Sequence, residues 1–256
     1  MGKFEIAPLI QGHLEKYKDG ERDPTIISMS SLGHCGRQLA FRKLGHSGRP
    51  LTWRSKMIFH DGDLHHTSIR AMIIEALKSF MPCYKLEDQE KKVFLNNGDY
   101  PAIGGHVDGV LVHDANKCEW REENHESMLF EFKSRNDRAF KEFEDGKIDH
   151  SYLIQIYSYL YSLNLNKALV LAKNKNNGRL LEHIVELDKE ELNKRLEVYK
   201  KVMEAKKPED LPREYEPKKG GWLPWPCGYC PFIRTCWGSE YTLEEKSEFV
   251  FKVSTR

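Results

Sequence analysis

The sequence carries no excess of either charge. Forty Lys and Arg face 39 Asp and Glu, a formal net charge of +1. Attraction to a polyanion through bulk charge is therefore excluded, and any nucleic-acid contact must come from a local basic surface. No run of about 18 apolar residues is present, so no membrane-spanning helix is expected. No basic-then-apolar N-terminal segment with a small-residue cleavage site is found, and a cytoplasmic location is expected. Repeats at a fixed period are missing. So is a G-x-x-x-x-G-K-[ST] run, which excludes a P-loop motor. The chain is 39% hydrophobic and 11% aromatic, too apolar for disorder. Its 256 residues read as a single domain, 1–256, with an embedded subdomain.

Cysteine is scarce but unevenly placed. Cys227, Cys230 and Cys236 crowd together, while Cys35, Cys83 and Cys118 are scattered. Without an export signal a disulfide framework is not expected, and the crowded trio reads as metal or cluster chemistry. Cys83 and Cys118 are taken as incidental thiols.

Leu9 to Tyr17 reads as a short helix, and Asp23-Pro24 as a turn. Ser30 or Ser31 can cap a helix through Cys35, Leu39 and Phe41 to Leu44. A longer helix is expected from Trp53 to Phe80, where Ile69, Met72, Ile73, Ala76, Leu77 and Phe80 recur at helical spacing. Three strands should follow: Tyr84 to Leu95, Gly105 to His113, and Met128 to Ser134. The polar stretch 114–126, with Glu119, Glu122, Glu123 and Glu126, reads as a solvated loop. Helices are expected at 136–143 and 150–163. Ala168–Ala172 and Leu180–Leu187 bracket a hairpin turn at Asn176-Asn177-Gly178, and Asp188 caps a last charged helix to about Lys206. The pattern is an α/β chain around a mixed sheet.

The third strand reads Leu129-Phe130-Glu131-Phe132-Lys133-Ser134. Alternation puts Glu131 and Lys133 on one face. Charges inside an apolar strand are costly unless they meet water, each other or a metal. An exposed edge strand with a cross-face ion pair is the plain alternative. The second strand, Gly104-Gly105-His106-Val107-Asp108-Gly109, adds a carboxylate flanked by glycines that allow close approach. If the strands pair, Asp108 and Glu131 meet and form an oxygen-rich site suited to Mg²⁺ or Mn²⁺. Lys133 beside them suits metal-assisted phosphodiester hydrolysis.

Asp108 followed by Glu131-Phe132-Lys133 resembles the signature of the PD-(D/E)XK nucleases. The resemblance implies that Asp108 and Glu131 bind the metal and that Lys133 serves the water. Gly62-Asp63-Leu64-His65-His66 resembles the G-x-x-x-H helix motif of RecB-like nucleases, which implies His66 as a third ligand, with His65 the alternative. A buried structural histidine is the ordinary alternative. Gln155 and Tyr159 match the Q-x-x-x-Y motif of the same family, implying support of substrate or site. At i and i+4 they share a helix face, where plain core packing would also place them.

Cys227-x₂-Cys230-x₅-Cys236 supplies three thiolates, and Cys35 can supply a fourth. Spacing alone suits a Cys₄ zinc or an iron–sulfur cluster. Trp222, Trp225, Tyr229, Phe232 and Trp237 are expected to shield it. One Cys before the core and three after it resembles RecB-like nucleases with an iron–sulfur staple, including CRISPR adaptation nucleases. That resemblance implies a structural [4Fe-4S] cluster held by Cys35, Cys227, Cys230 and Cys236. Segments 30–44 and 222–237 would form its subdomain around a nuclease core at 53–206. Gly36 stands where those relatives often have a Pro.

Between Ser31 and His60 lie Arg37, Arg42, Lys43, Arg49, Arg54 and Lys56 with no acidic residue. Together with Phe41 and Trp53 they read as a basic, aromatic path for single-stranded nucleic acid, although a solvated helix face would look similar. The whole resembles a restriction-endonuclease-like mixed sheet flanked by helices. It implies a Mg²⁺- or Mn²⁺-dependent DNA exonuclease acting on single strands or ends, 5′ to 3′, in recombination, repair or CRISPR adaptation. The alternatives are a non-cleaving DNA-binding module on a nuclease fold and a zinc-stapled nuclease.

Overall fold

In the computed structural model, residues 6–16, 23, 25–114, 117 and 126–255 are described. Pro24, Tyr17, Cys118, Glu119, Glu122 and Glu123 lie outside them. The chain divides into two compact units. The first comprises Met1–Lys16, Ser28–Gly33 and Trp53–Arg195. The second comprises Tyr17–Ile27, His34–Thr52 and Leu196–Arg256.

The first unit is built on a five-stranded mixed sheet. It joins β1 (Tyr84–Glu87), β4 (Gly109–His113), β5 (Met128–Arg135), β6 (Lys167–Asn174) and β7 (Leu180–Glu186) in that spatial order. β5 and β6 are parallel, and the other pairs are antiparallel. A parallel pair needs a long crossover. It is supplied by α5 (Asp137–Glu144) and α6 (His150–Leu163). Asn136 starts α5 by accepting the Ala139 N–H at 2.9 Å, and Asp149 starts α6 through the Ser151 N–H.

The other face belongs to α4 (Trp53–Phe80). Its Ile69, Ile73, Ile74 and Leu77 pack with Leu86, Leu111, Phe130 and Phe132. Of the helical stripe read from the sequence, Ile69, Ile73 and Leu77 pack here, joined by Ile74, whereas Met72, Ala76 and Phe80 are exposed. β5 therefore has helices over both faces, and Leu129 through Phe132 are all buried. That is why the strand reads as a nearly continuous apolar run and why a charge within it is conspicuous. Among the described residues no helix is long and apolar enough to cross a membrane.

Four expectations change. The stretch Tyr84 to Leu95 is two strands, β1 and β2 (Lys92–Asn97). They are separated by a turn with Asp88 and Glu90 at φ 54°. Gly105 to His113 is also broken: β3 (Tyr100–His106) ends before Asp108 and β4 starts after it. β3 pairs with β2 in a separate two-stranded sheet, so Asp108 sits at a change of sheet. The helix expected over 30–44 is α2 (Met29–Leu32) and α3 (Gly36–Lys43). At the break Gly33 backs against Ser151, where a Cβ would come within 2.5 Å of the Ser151 Cα. Finally, a terminal hairpin, β8 (Tyr241–Ser247) with β9 (Val250–Thr255), was not anticipated.

That hairpin belongs to the second unit. Its Phe251 and Val253 pack with Ile233 and Trp237, beside α8 (Trp225–Tyr229) and α9 (Ile233–Gly238). Pro224 precedes α8 and Pro226 lies within its first turn, positions where a missing N–H is harmless.

Candidate active site and thiol cluster

The β4–β5 ladder runs Leu111–Met128, Val110–Leu129, Gly109–Phe130. One further step in this register sets Asp108 opposite Glu131. The Asp108 Oδ2 accepts the Phe132 N–H at 2.8 Å, which locks the carboxylate to β5. Its Oδ1 lies 3.2 Å from His66 Nδ1. His66 comes from α4 and stands edge-on to Phe132, with ring centroids 4.9 Å apart. His65 points elsewhere, with Nδ1 3.4 Å from Lys173 Nζ.

Glu131 is 2% exposed, and its Oε1 accepts from Lys133 Nζ at 2.6 Å. The Glu131 Oε2 is buried with no hydrogen-bond partner. Burial pushes the Glu131 carboxyl up to about 7, with Lys133 opposing and the Asp108 charge adding to the rise. Burial also raises Asp108, but the His66 hydrogen bond and charge, Lys133 and the Phe132 N–H outweigh it and hold Asp108 low. For Lys133, burial acts downward while Glu131 and Asp108 win and hold the ammonium above its ordinary range. Two carboxylates with opposite shifts, one of them paired to the ammonium that acts on both, form a polar knot inside an apolar sheet.

Behind this knot lie Gln155 and Tyr159 of α6. Gln155 Nε2 donates to Tyr159 Oη at 3.2 Å. Burial and then the Glu131 charge raise the Tyr159 pKa, so its hydroxyl stays neutral. The Tyr159 ring packs beneath β3, where a Cβ on Gly105 would lie 2.6 Å from Tyr159 Cε1. Here glycine permits the close approach its neighbourhood suggested.

The second unit gathers Cys35, Cys227, Cys230 and Cys236 around one cavity, lined also by Arg37, Gln38, Phe41, Pro226, Ile233, Trp237 and Arg213. All four thiols are free. Cys35 precedes α3 at its N-cap, Cys227 lies in α8, Cys230 ends α8 and Cys236 lies in α9. Burial pushes Cys227 and Cys230 up to about 12 and raises Cys236 as well. The expected shield is only partly realised: Phe232 and Trp237 are buried, but Trp222, Trp225 and Tyr229 are exposed. Phe41, stacked on Phe232 at 5.2 Å, takes their place and is buried, so it offers no platform to a base.

Among the described residues no three His, Cys, Asp or Glu side chains already stand in an arrangement that could hold a metal ion. The donor chemistry nonetheless fits both groups. At the sheet, the orphaned Glu131 Oε2 needs a cation or a donor. At the cavity, the four cysteines share one lining with Arg37 and Arg213. Arg42, drawn down by burial, lies near Cys230. A tetrathiolate complex is anionic, and these guanidinium groups would offset it.

The residues of the basic path are divided between the two units. Arg37, Arg42, Lys43 and Arg49 belong to the second unit, Trp53 and Arg54 to the first. Arg37 Nε donates to Leu211 O at 2.7 Å, Lys43 Nζ to Ala205 O at 3.1 Å, and Arg49 to the Glu248 and Gly228 carbonyls. Those cations tie loops together. Arg54 stacks on Trp53 at 5.6 Å. Two neighbours of the sites were missed: Arg135, two places beyond Lys133 on β5, and Arg213, whose Nη2 donates to Cys236 O at 2.6 Å. Continuing the alternation from Glu131 through Lys133 would have found Arg135. Nothing in the sequence flags Arg213.

No protein-family model and no curated protein sequence matches the chain. Among solved structures, a crystal structure of SSO0001 is similar with a TM-score of 0.51 and 16% identity, covering 90% of this chain and 95% of that one. The complex of LHK-Exo with dAMP has a TM-score of 0.47 at 11% identity, covering 71% and 92%. The alkaline exonuclease LHK-Exo from Laribacter hongkongensis has a TM-score of 0.45 at 12% identity, with the same coverage. The likeness to SSO0001 is one of fold, and it extends over nearly the whole of both chains.

Proposed function

We propose that the chain is a metal-dependent DNA exonuclease of the PD-(D/E)XK, RecB-like kind. The observation that carries the reading is the buried, partnerless Glu131 Oε2 beside the charges of Lys133, Asp108 and His66. Asp108, Glu131 and His66 would hold Mg²⁺ or Mn²⁺. A bound divalent ion stabilises charge on the phosphate and on the leaving oxygen. Lys133, held protonated by two carboxylates, acts as a donor: it orients a water and steadies a phosphoryl oxygen. Gln155 and Tyr159 brace the site from behind. The substrate is DNA, single strands or ends, with 5′ to 3′ polarity, and the setting is recombination, repair or CRISPR adaptation.

Cys35, Cys227, Cys230 and Cys236 hold a structural [4Fe-4S] cluster in this reading. Bound metal joins distant segments of one unit, as a cross-link would. Zinc is the competing occupant, since it accepts the same four thiolates.

The test is digestion of end-labelled single- and double-stranded DNA with Mn²⁺, comparing wild type with Lys133→Ala. Metal-dependent shortening by wild type alone is expected. Wild type without any product, or Lys133→Ala cutting at the wild-type rate, refutes the nuclease. Visible absorbance and iron content of anaerobically purified protein test the cluster. Colourless protein with stoichiometric zinc refutes it.

A further inference from the structure

Glu131, Lys133 and Arg135 alternate along β5, so all three lie on the face covered by α5 and α6. Lys133 Nζ pairs with Glu131 Oε1 at 2.6 Å. Arg135 is different. Its Nε and Nη2 are both buried and have no hydrogen-bond partner, an expensive state for a guanidinium. The group is nevertheless held in place. Its Cζ lies 5.1 Å from the Tyr152 ring centroid and 5.4 Å from that of Phe143. Tyr152 also carries the Lys133 ammonium, 4.8 Å from its ring. One ring thus aligns both cations.

The carboxylates that could serve Arg135 are engaged elsewhere. Asp149 Oδ1 accepts from the Ser151 N–H and Oγ, and Glu142 Oε1 pairs with Arg138. Nε and Nη2 form the side-on fork that matches two oxygens of a phosphate. Arg135 follows Lys133 by two residues, roughly 7 Å along a strand, comparable to the step between successive phosphates of one nucleic-acid strand.

Building on the nuclease reading, we infer that Arg135 grips the phosphate one nucleotide away from the one Glu131, Asp108 and Lys133 face. It thereby sets the register of the strand at the site. Its ligand is a phosphate, either an internal diester or a terminal monoester. Arg135 binds and positions; the chemistry stays with Asp108, Glu131 and Lys133.

The test uses a short fluorescein-labelled single-stranded oligonucleotide, with binding measured by anisotropy in Ca²⁺ and cleavage in Mn²⁺. Arg135→Gln should weaken binding and raise KM by about tenfold to a hundredfold, with a smaller change in kcat. Arg135→Lys, which keeps the stem and charge but not the fork, should fall between. A single methylphosphonate at the flanking position should weaken wild type by a similar factor and Arg135→Gln no further. Comparing 5′-phosphate with 5′-hydroxyl oligonucleotides separates a terminal from an internal phosphate. Unchanged affinity and KM in Arg135→Gln, or losses from substitution and methylphosphonate that multiply, overturn the inference. Wild type that fails to cut refutes the nuclease reading alone, because the binding comparison still decides Arg135.

Discussion

Replacing Lys133 by Met tests the buried pair at the centre of the sheet. The methionine keeps most of the stem and removes the charge. Glu131 is 2% exposed and Lys133 16% exposed, at 2.6 Å, so solvent screens the pair little. Breaking such a pair from one side costs about 3–5 kcal/mol if the remaining charge persists. Proton uptake can relieve that cost. The Glu131 carboxyl is already pushed up to about 7 from its ordinary 4.5, mainly by burial and against the pull of Lys133. A group raised by folding contributes stability that is complete below its unfolded value and is lost as pH rises through its folded value. Without Lys133 the folded value rises further. The loss then continues above neutrality at up to about 1.4 kcal/mol per pH unit. In urea unfolding with a chelator present, Lys133→Met should therefore cost clearly more near about pH 8 than near about pH 6. Glu131→Gln/Lys133→Met, which removes both charges, should recover most of the loss. A Lys133→Met protein as stable as wild type near pH 8, or one whose penalty is the same at both pH values, refutes the buried pair.

Other outcomes follow from single contacts. Gly105→Ala would put a Cβ 2.6 Å from Tyr159 Cε1 and 3.0 Å from Met29 Sδ. This overpacking should cost about 1–3 kcal/mol in thermal melts, and a neutral result would show that α6 yields freely. Asn136→Ala removes the side chain that accepts the Ala139 N–H. A loss of about 1 kcal/mol is expected, visible as a lower urea midpoint with an unchanged slope. Cys230→Ala or Cys35→Ala should abolish bound metal, measured by elemental analysis, and lower the melting temperature. Full metal content in either variant would remove that cysteine from the ligand set.

The long helix from Trp53 to Phe80 was legible because its apolar residues recur at 3.6-residue spacing, although only Ile69, Ile73 and Leu77 of that set pack on the sheet. The helix over 150–163 and the strand carrying Glu131 and Lys133 were legible for similar local reasons. The breaks were not. Val107 is as apolar as any strand residue, yet its N–H bonds to Lys91 O and its carbonyl to the Glu90 N–H. Val107 therefore still follows the chain leading into β2, and Asp108 falls in the gap between β3 and β4. Likewise, nothing local in the Ser28–Lys43 stretch reveals that Gly33 packs directly against Ser151 at the break. The basic run from Arg37 to Arg49 looked like a binding surface because composition does not show which carbonyls its cations meet.

By itself the sequence determined the long helices, the strand carrying Glu131 and Lys133 and the order of the chemical groups, since periodicity and residue type act over a few neighbours. It named Asp108, Glu131, Lys133 and the four cysteines, and left His66 beside His65. Only the tertiary structure decided what each group faces. The ladder register opposes Asp108 to Glu131, the position of α4 turns His66 toward Asp108 and His65 toward Lys173, and the two-sided cover of β5 leaves one carboxylate oxygen and two guanidinium nitrogens buried without partners. Those outcomes depend on where strands part and what packs above them, through contacts between residues far apart along the chain.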